Sequence, residues 1–488
     1  MAARVQIRIA EYIDQGFAPG DRAFIHFGNC NEFFVELLAI WAVGGCAVPV
    51  DPRFTPFEIK TLADWGRPRV SVWLGGIDPE VGDAMQSLSI RVANLAERQV
   101  SKPRTRRPAP GFRLDDDALI LFTSGTTGQP KGVVHTHRSL LARWTHLRDH
   151  LGLASFERTL CLLPTHFGHG LICNSLFPWL NGCDLHLLPS FKPEIVADLG
   201  RIIDENDITF ISSVPALWRL AKRISGPPTS RSLRRVFIGS APLSASLWNT
   251  VLEWSGADAV FNSYGITETA SWLAGTTVPN FAPEDGLIGV PWGGSIRILR
   301  TKEPIAAEGA NDAACKRGES GYIWVQTPAL MRGYLDRDDL TAQVVRQGWF
   351  LTGDIGMFDE RGWLYLKGRE REEINKGGMK VYPADVDSVI ERYENTMDVC
   401  TFAYADSLLG EDVGVAVVLN DSSDASLQGL FQWAVRHLAS HQLPQRWYVL
   451  TEISRTSRGK VNRSSVAEIC SRLKPVNMAA LARSGADA

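Results

Sequence analysis

The chain has no C-x-x-C pair, although eight cysteines are scattered through its 488 residues. That absence disfavours a structural zinc site or a dithiol redox motif. Isolated cysteines in a large chain act as small apolar residues and suit a reducing, cytoplasmic setting. There is no basic surplus either. Lys plus Arg is 51 against 54 for Asp plus Glu, a net charge of -3, which argues against a dedicated nucleic-acid binder. The one basic cluster, Lys102 to Pro110, is Pro-rich and reads as a solvated connecting loop. The first residues lack the apolar core of a signal peptide. The longest apolar run, Leu37 to Val50, is broken by Gly44, Gly45 and Pro49. It is too short to cross a bilayer and predicts a buried helix, a glycine turn and a strand.

What is present alternates. From residue 115, apolar runs such as DALILFT, ITFISS and LRRVFIG are followed by helical patterns such as HRSLLARWTHLRDHLG and PALWRLAKRI. This order predicts an α/β fold with a doubly wound parallel sheet, whose ligands sit beyond the carboxyl ends of the strands. After about residue 285, SIRILR, GYIWVQ and GWLYLKG read as strands with little helix between them, a β-rich subdomain. Beyond Gly368, a hairpin around KGG, two further strands and two helices suggest a small α+β domain. The expected division is 1–368 and 369–488, the tail from Asn477 being frayed.

The stretch TSGTTGQPKG, from Thr123 to Gly132, concentrates glycines and hydroxyls beside Lys131. Exposed amides in a glycine turn make an anion-binding concavity, and a lysine adds charge against phosphate. No G-K-[ST] follows, so this is not the Walker pattern. Taken alone, the stretch is also compatible with a flexible linker. Other stretches accompany it in order: NEFFVELLAIWAVGGCAVPVDPRFTPFEI, GSAPLS, NSYGITET, GWFLTGDIG, LKGREREEINKGGMKVYPADVD and SRTSRGKVNR. Together they resemble the adenylate-forming superfamily of acyl- and aryl-CoA synthetases, adenylation domains and firefly luciferase.

That resemblance implies roles. Thr123, Ser124, Gly125, Thr126, Thr127, Gly128 and Lys131 would cradle ATP phosphates. Gly239, Ser240, Ala241, Pro242, Asn262 and Gly265 would line the adenine side, and Tyr264 would stack on the base. Asp354 would accept hydrogen bonds from the ribose hydroxyls, with Arg369 nearby. Thr267 would touch the α-phosphate, Glu268 would hold Mg2+, and Lys460 would serve the attacking carboxylate. Arg371, Gly377 and Gly378 would form the hinge and thiol channel. His166, Phe167, His169, Val214, Gly239 and Gly265 would wall the acyl pocket.

Each of His166 and His169 is equally compatible with a hydrogen-bonded structural histidine. The stretch Leu163 to Gly182 carries no Asp, which disfavours an α-amino acid. The implied reaction activates a carboxylic acid with ATP, releases pyrophosphate and passes the acyl group to a thiol. The thiol is CoA or, alternatively, the phosphopantetheine arm of a carrier protein. A luciferase-like oxygenase and a non-catalytic nucleotide-binding scaffold are further readings. No nucleic-acid partner and no membrane span are expected.

Overall fold

A computed structural model describes the chain apart from residues 97–110, 124–130, 190–191, 277–281, 304–312, 378, 407–408, 457–458 and 479–488. The Lys102 to Pro110 cluster therefore lies outside the described residues. The remainder folds around three sheets. The apolar run at 37–50 becomes the helix Asn31–Ala42, a turn and the buried strand Cys46–Pro49, as its pattern predicts.

The first sheet has seven strands. Arg22–Ile25 lies inside it, paired in parallel with Cys46–Pro49 and Val70–Trp73. Cys46–Pro49 pairs with Asp117–Thr123. The strand Asp117–Thr123 then turns back antiparallel onto Lys131–Thr136, with Thr123 opposite Lys131. The strands on either side of the glycine-rich stretch are thus antiparallel neighbours, and the helix His137–Leu151 follows the second of them. Thr136 starts that helix through a capping box with Ser139.

The second sheet has twelve strands. Its parallel part runs through Arg158–Cys161, Phe210–Ser213, Arg235–Gly239 and Ala259–Ile266. The β-rich part is joined to it without a gap: Ser271–Gly275 pairs with both Ala259–Ile266 and Leu287–Pro291, which pairs with Leu364–Arg369. Pro215 and Ser244 set the starts of the helices Pro215–Ile224 and Ala245–Ser255 on this sheet.

A core shared by elements of both large sheets is rich in rings. Phe156, Phe210, Phe237, Trp272 and Trp292 pack in a chain with centroid separations of 4.2 to 5.5 Å. Such tilted and edge contacts add to the burial of large apolar area.

Beyond Arg369 the chain builds a five-stranded sheet with its own apolar clusters. The hairpin Ile374–Lys376 with Met379–Val381, the helices Pro383–Glu391 and Asp424–His437, and the strands Thr396–Asp406 and Gly410–Leu419 all appear where the pattern placed them. The tail differs from expectation at its start. Val476 bridges to Trp447 and Met478 is buried in that core, because an apolar side chain there completes the packing. All eight cysteines are unpaired. Among the described residues, no helix is long and apolar enough to cross a membrane.

His26 is buried against Trp73, with ring centroids 3.9 Å apart, and neither ring nitrogen has a hydrogen-bond partner among the described residues. Burial lowers its pKa to about 3. The unfolded chain takes up that proton near pH 6.5 and the folded chain does not. The neutral ring's contribution is therefore complete above about pH 6.5 and is lost as pH falls toward 3. His26→Phe keeps the ring contact and removes the titration. Between pH 6.5 and 4.5 its unfolding free energy, measured in urea, should fall by about 2–3 kcal/mol less than that of the wild type. Equal losses would mean that His26 takes a proton in the folded state.

Candidate active site

The carboxyl ends of Arg235–Gly239 and Ala259–Ile266 lie side by side, with Gly239 opposite Ser263. A Cβ at Gly239 would lie 2.4 Å from Ser263 Oγ, and one at Gly265 would lie 2.3 Å from Ser271 O. Both positions therefore require glycine to keep the strands this close. Asn262, Tyr264 and Gly265 belong to the strand itself rather than to a loop after it, because the chain pairs on to Ile266 before turning.

That turn is the 3-10 segment Thr267–Thr269. The two residues after it, Ala270 and Ser271, have φ of 54° and 73°. Left-handed conformations at non-glycine residues cost on the order of 1–3 kcal/mol each and persist where the surroundings enforce them. All three carbonyls of the turn are held. His135 Nε2 donates to Thr267 O at 2.7 Å, the Met331 amide donates to Glu268 O at 2.7 Å, and the Arg143 guanidinium donates to Thr269 O. The half-buried Glu268 side chain accepts from the Tyr334 hydroxyl through Oε1 at 2.8 Å. Lys131 Nζ lies 5.2 Å from the centre of the Tyr334 ring. The Lys131 and Glu268 positions are therefore brought together through Tyr334. Ser124, Gly125, Thr126, Thr127 and Gly128 lie outside the described residues. Their flanks do not: Thr123 Oγ1 donates to Lys131 O at 3.4 Å.

On the neighbouring strands Asp354 is buried, 2% exposed. Its carboxylate accepts from the Tyr264 hydroxyl and from Arg369 Nε at 2.9 Å. Asp354 raises the Arg369 pKa, and burial together with Asp354 raises that of Tyr264. Tyr264 is thus fixed at both ends, its ring in an apolar cluster and its hydroxyl on Asp354.

The two histidines part company. His169 opens a π-helical turn, His169–Leu176, a type of turn often found at functional sites. Its Nδ1 lies 2.8 Å from Ser240 Oγ and its Nε2 2.6 Å from Ser212 Oγ. Phe167 and Trp272 flank the ring. Burial, and then the positive charge of Lys460, lower the His169 pKa to about 3. His166 does not share this environment. Its Nε2 lies 3.2 Å from Asp51 Oδ2, and Asp51 also accepts from Arg53 at 2.9 and 2.8 Å. His166 thus faces a carboxylate, while His169 faces two serine hydroxyls. Burial works to raise the Asp51 pKa, but the bonds from His166 and Arg53 outweigh it and leave the pKa well below the carboxylate range.

Lys460 follows Gly459, which packs against Val214 and Ala216 at the start of Pro215–Ile224. The lysine loop is closed by Thr456 N to Lys460 O at 2.7 Å. Lys460, His169, Ser240 and Val214 therefore share one corner. Arg371 and Gly377 are exposed on the smaller part, and Gly378 lies outside the described residues. Tyr334, Arg143, His135, Ser212 and Asp51 were not foreseen as site residues. His135 stands three residues after Gly132, the end of the quoted stretch, but nothing in its type signals a carbonyl tie.

The strand that begins with Lys131, the Glu268 turn and the buried Asp354–Arg369 pair are the parts that the adenylate-forming resemblance expects at a nucleotide site. Residues 3–335 match the AMP-binding enzyme family, and the chain belongs to it. Among curated proteins it is similar to a feruloyl-CoA synthase of Amycolatopsis sp, 29% identical over 459 residues, covering 92% of this chain and 89% of that protein. It is also similar to a probable CoA ligase of Humulus lupulus, 27% identical over 475 residues, covering 93% and 87%. Among solved structures, ATP-bound MatB from Rhodopseudomonas palustris aligns with a TM-score of 0.82 at 24% identity, covering 96% of this chain and 92% of that one. The o-succinylbenzoate CoA synthetase of Bacillus subtilis, in complex with its acyl-adenylate intermediate, aligns with a TM-score of 0.82 at 24% identity, covering 95% and 91%. These two establish the shared fold.

Asp354→Asn keeps the shape of the side chain and removes its charge beside Arg369. If the carboxylate receives the ribose hydroxyls, ATP affinity should fall about 10-fold or more, since hydrogen bonds to charged groups contribute about 1.5–3 kcal/mol. Titration of the purified variant with ATP reads this directly, and unchanged affinity would remove Asp354 from the nucleotide site.

Proposed function

We propose that this chain is an AMP-forming acid–CoA ligase for a small aryl or short acyl acid without an α-ammonium group. The observation that carries the reading is the corner where the Lys460 loop packs on Val214 while its charge acts on His169 beside Ser240. A cation for the acid's carboxylate there adjoins the loop that follows the nucleotide strand.

The acid's carboxylate oxygen attacks the α-phosphorus of ATP. The bond to the β-phosphate oxygen breaks, and pyrophosphate leaves with the electron pair. Lys460 and the amides of the hairpin stabilise the charge that builds up on the phosphoryl oxygens. Asp354 and Arg369 orient the nucleoside. In the second half the CoA sulfur attacks the acyl carbonyl, its proton passes to solvent, and AMP leaves.

Glu268 fits a hard divalent cation. Its Oε1 is held by Tyr334, and its Oε2 takes no bond among the described residues. Among those residues no cluster of three or more ligating side chains exists, which suits Mg2+ bound by one carboxylate and substrate phosphates. When bound, that ion would neutralise charge on the phosphate oxygens.

Acid selection follows from the His169 corner. Neutral His169, two serines and the rings of Phe167 and Trp272 favour a compact acid with a small polar group. Among the described residues His169 pairs with two serine hydroxyls rather than a carboxylate, and the stretch Leu163 to Gly182 carries no Asp for an ammonium. The parts 1–368 and 369–488 act as a binding body and a rotating lid, with Arg371, Gly377 and Gly378 at the hinge and thiol channel. Ion pairs of Arg219 with Glu391 and Arg392 with Asp285 connect them in the present arrangement. Such an arrangement would serve the first half-reaction, and the charge of Lys460 on His169 supports that reading.

Pyrophosphate release over a panel of carboxylic acids, with and without CoA, tests the reading. Aryl or short acyl acids should be activated and L-amino acids should not, and the reverse would overturn it. Lys460→Ala should slow pyrophosphate release by about 100- to 1000-fold. It should leave thioester formation from a synthetic acyl-adenylate near the normal rate. Equal loss in both halves would defeat the alternation of the lid.

A further inference from the structure

Arg143 lies in the helix His137–Leu151 and is completely buried. Among the described residues its guanidinium pairs with no carboxylate. It spends its donors on two backbone carbonyls: Nε and Nη2 reach Thr269 O at 3.2 and 3.0 Å, and Nη1 reaches Trp292 O at 2.8 Å. A buried, unpaired cation is costly, and its retention calls for work that a neutral side chain would not do. Burial lowers its pKa to about 10, which leaves it charged at neutral pH.

The place it grips is informative. Thr269 O ends the turn that carries Glu268, and the next two residues are left-handed without being glycine. Trp292 belongs to the chain packed behind Ser271–Gly275, and its amide donates to Leu273 O at 2.7 Å. One planar guanidinium therefore joins the strained turn to the segment behind it, and His135 from the preceding strand holds the front carbonyl. A planar fork with fixed donor directions suits this, and a flexible ammonium does not.

We propose that Arg143 is a positioning residue for the metal-bearing carboxylate: it holds the Thr267–Thr269 turn so that Glu268 presents Oε2 to the divalent cation that accompanies ATP. This rests on the reading of Glu268 as that ligand. Partners that orient a metal ligand typically contribute about 10- to 100-fold in metal affinity.

The test is ATP binding by titration calorimetry without acid, with and without Mg2+, on the wild type, Arg143→Met, Arg143→Lys and Glu268→Gln. Mg2+ should tighten ATP binding by the wild type. That gain should shrink about 10-fold or more in Arg143→Met and less in Arg143→Lys. Affinity for ATP without Mg2+ should stay within about 2-fold. A full Mg2+ gain in Arg143→Met would overturn the proposal, as would an equal loss of metal-free binding, which a merely structural role predicts. If Arg143→Met does not fold, Arg143→Lys and His135→Leu carry the test, and an undiminished gain in both would overturn it. If Glu268→Gln keeps the gain, the reading of Glu268 falls and the proposal with it. If only the Arg143 variants keep it, the proposal alone falls.

Discussion

The Asp354 carboxylate is the contact on which the site's geometry turns. It is almost wholly buried, so its charge requires a partner, and Arg369 supplies it from the last residue of the neighbouring strand. The Tyr264 hydroxyl takes the other oxygen. One charge thus ties together Ala259–Ile266, Trp349–Phe358 and Leu364–Arg369, the last of which leads into the smaller part of the chain. Because a buried unpaired charge is costly, these three strands can shift only together. The nucleoside side of the site and the exit toward residues 370–376 are coupled through it.

Around that tie the fold separates rigid from movable. The turn at Thr267–Thr269 is fixed through each of its carbonyls, and the Gly239 and Gly265 positions allow strands to approach where side chains would collide. The lysine loop meets the large part through Gly459 against Val214 and Ala216 and through the charge of Lys460 on His169, and the ion pairs Arg219–Glu391 and Arg392–Asp285 are partly exposed. Partly exposed pairs contribute little stability each. The Glu268 turn is thus fixed from three sides, more restraint than the contacts named above give the Lys460 loop.

Much of this was legible in the sequence. Apolar runs bounded by glycine and proline marked most strands and helices, because burial and breakers act locally. The ordered motifs pointed to Lys131, Glu268, Asp354 and Lys460 as one site. The sequence could not convey pairings between distant segments. Nothing local says that Asp117–Thr123 pairs antiparallel with Lys131–Thr136, that the β-rich part continues the parallel sheet, or that His166 meets Asp51. Arg143 looks like any arginine on an amphipathic helix, and only the fold shows that its face is buried. Asn477 was read as the start of a frayed tail because the segment is small and polar, yet Met478 finds a core from another part of the chain.

His169 carries a consequence of its own. Held neutral, its imidazole owns a single N–H, so it must donate to one of Ser212 and Ser240 and accept from the other. The two hydroxyls are therefore never equivalent. If the ring donates to Ser240, that serine keeps a proton to offer outward. If it accepts from Ser240, the serine offers only lone pairs. Moving one proton between ring nitrogens reverses the polarity of the chain without displacing a heavy atom. The same three side chains then present a donor or an acceptor at Ser240 with no change in packing.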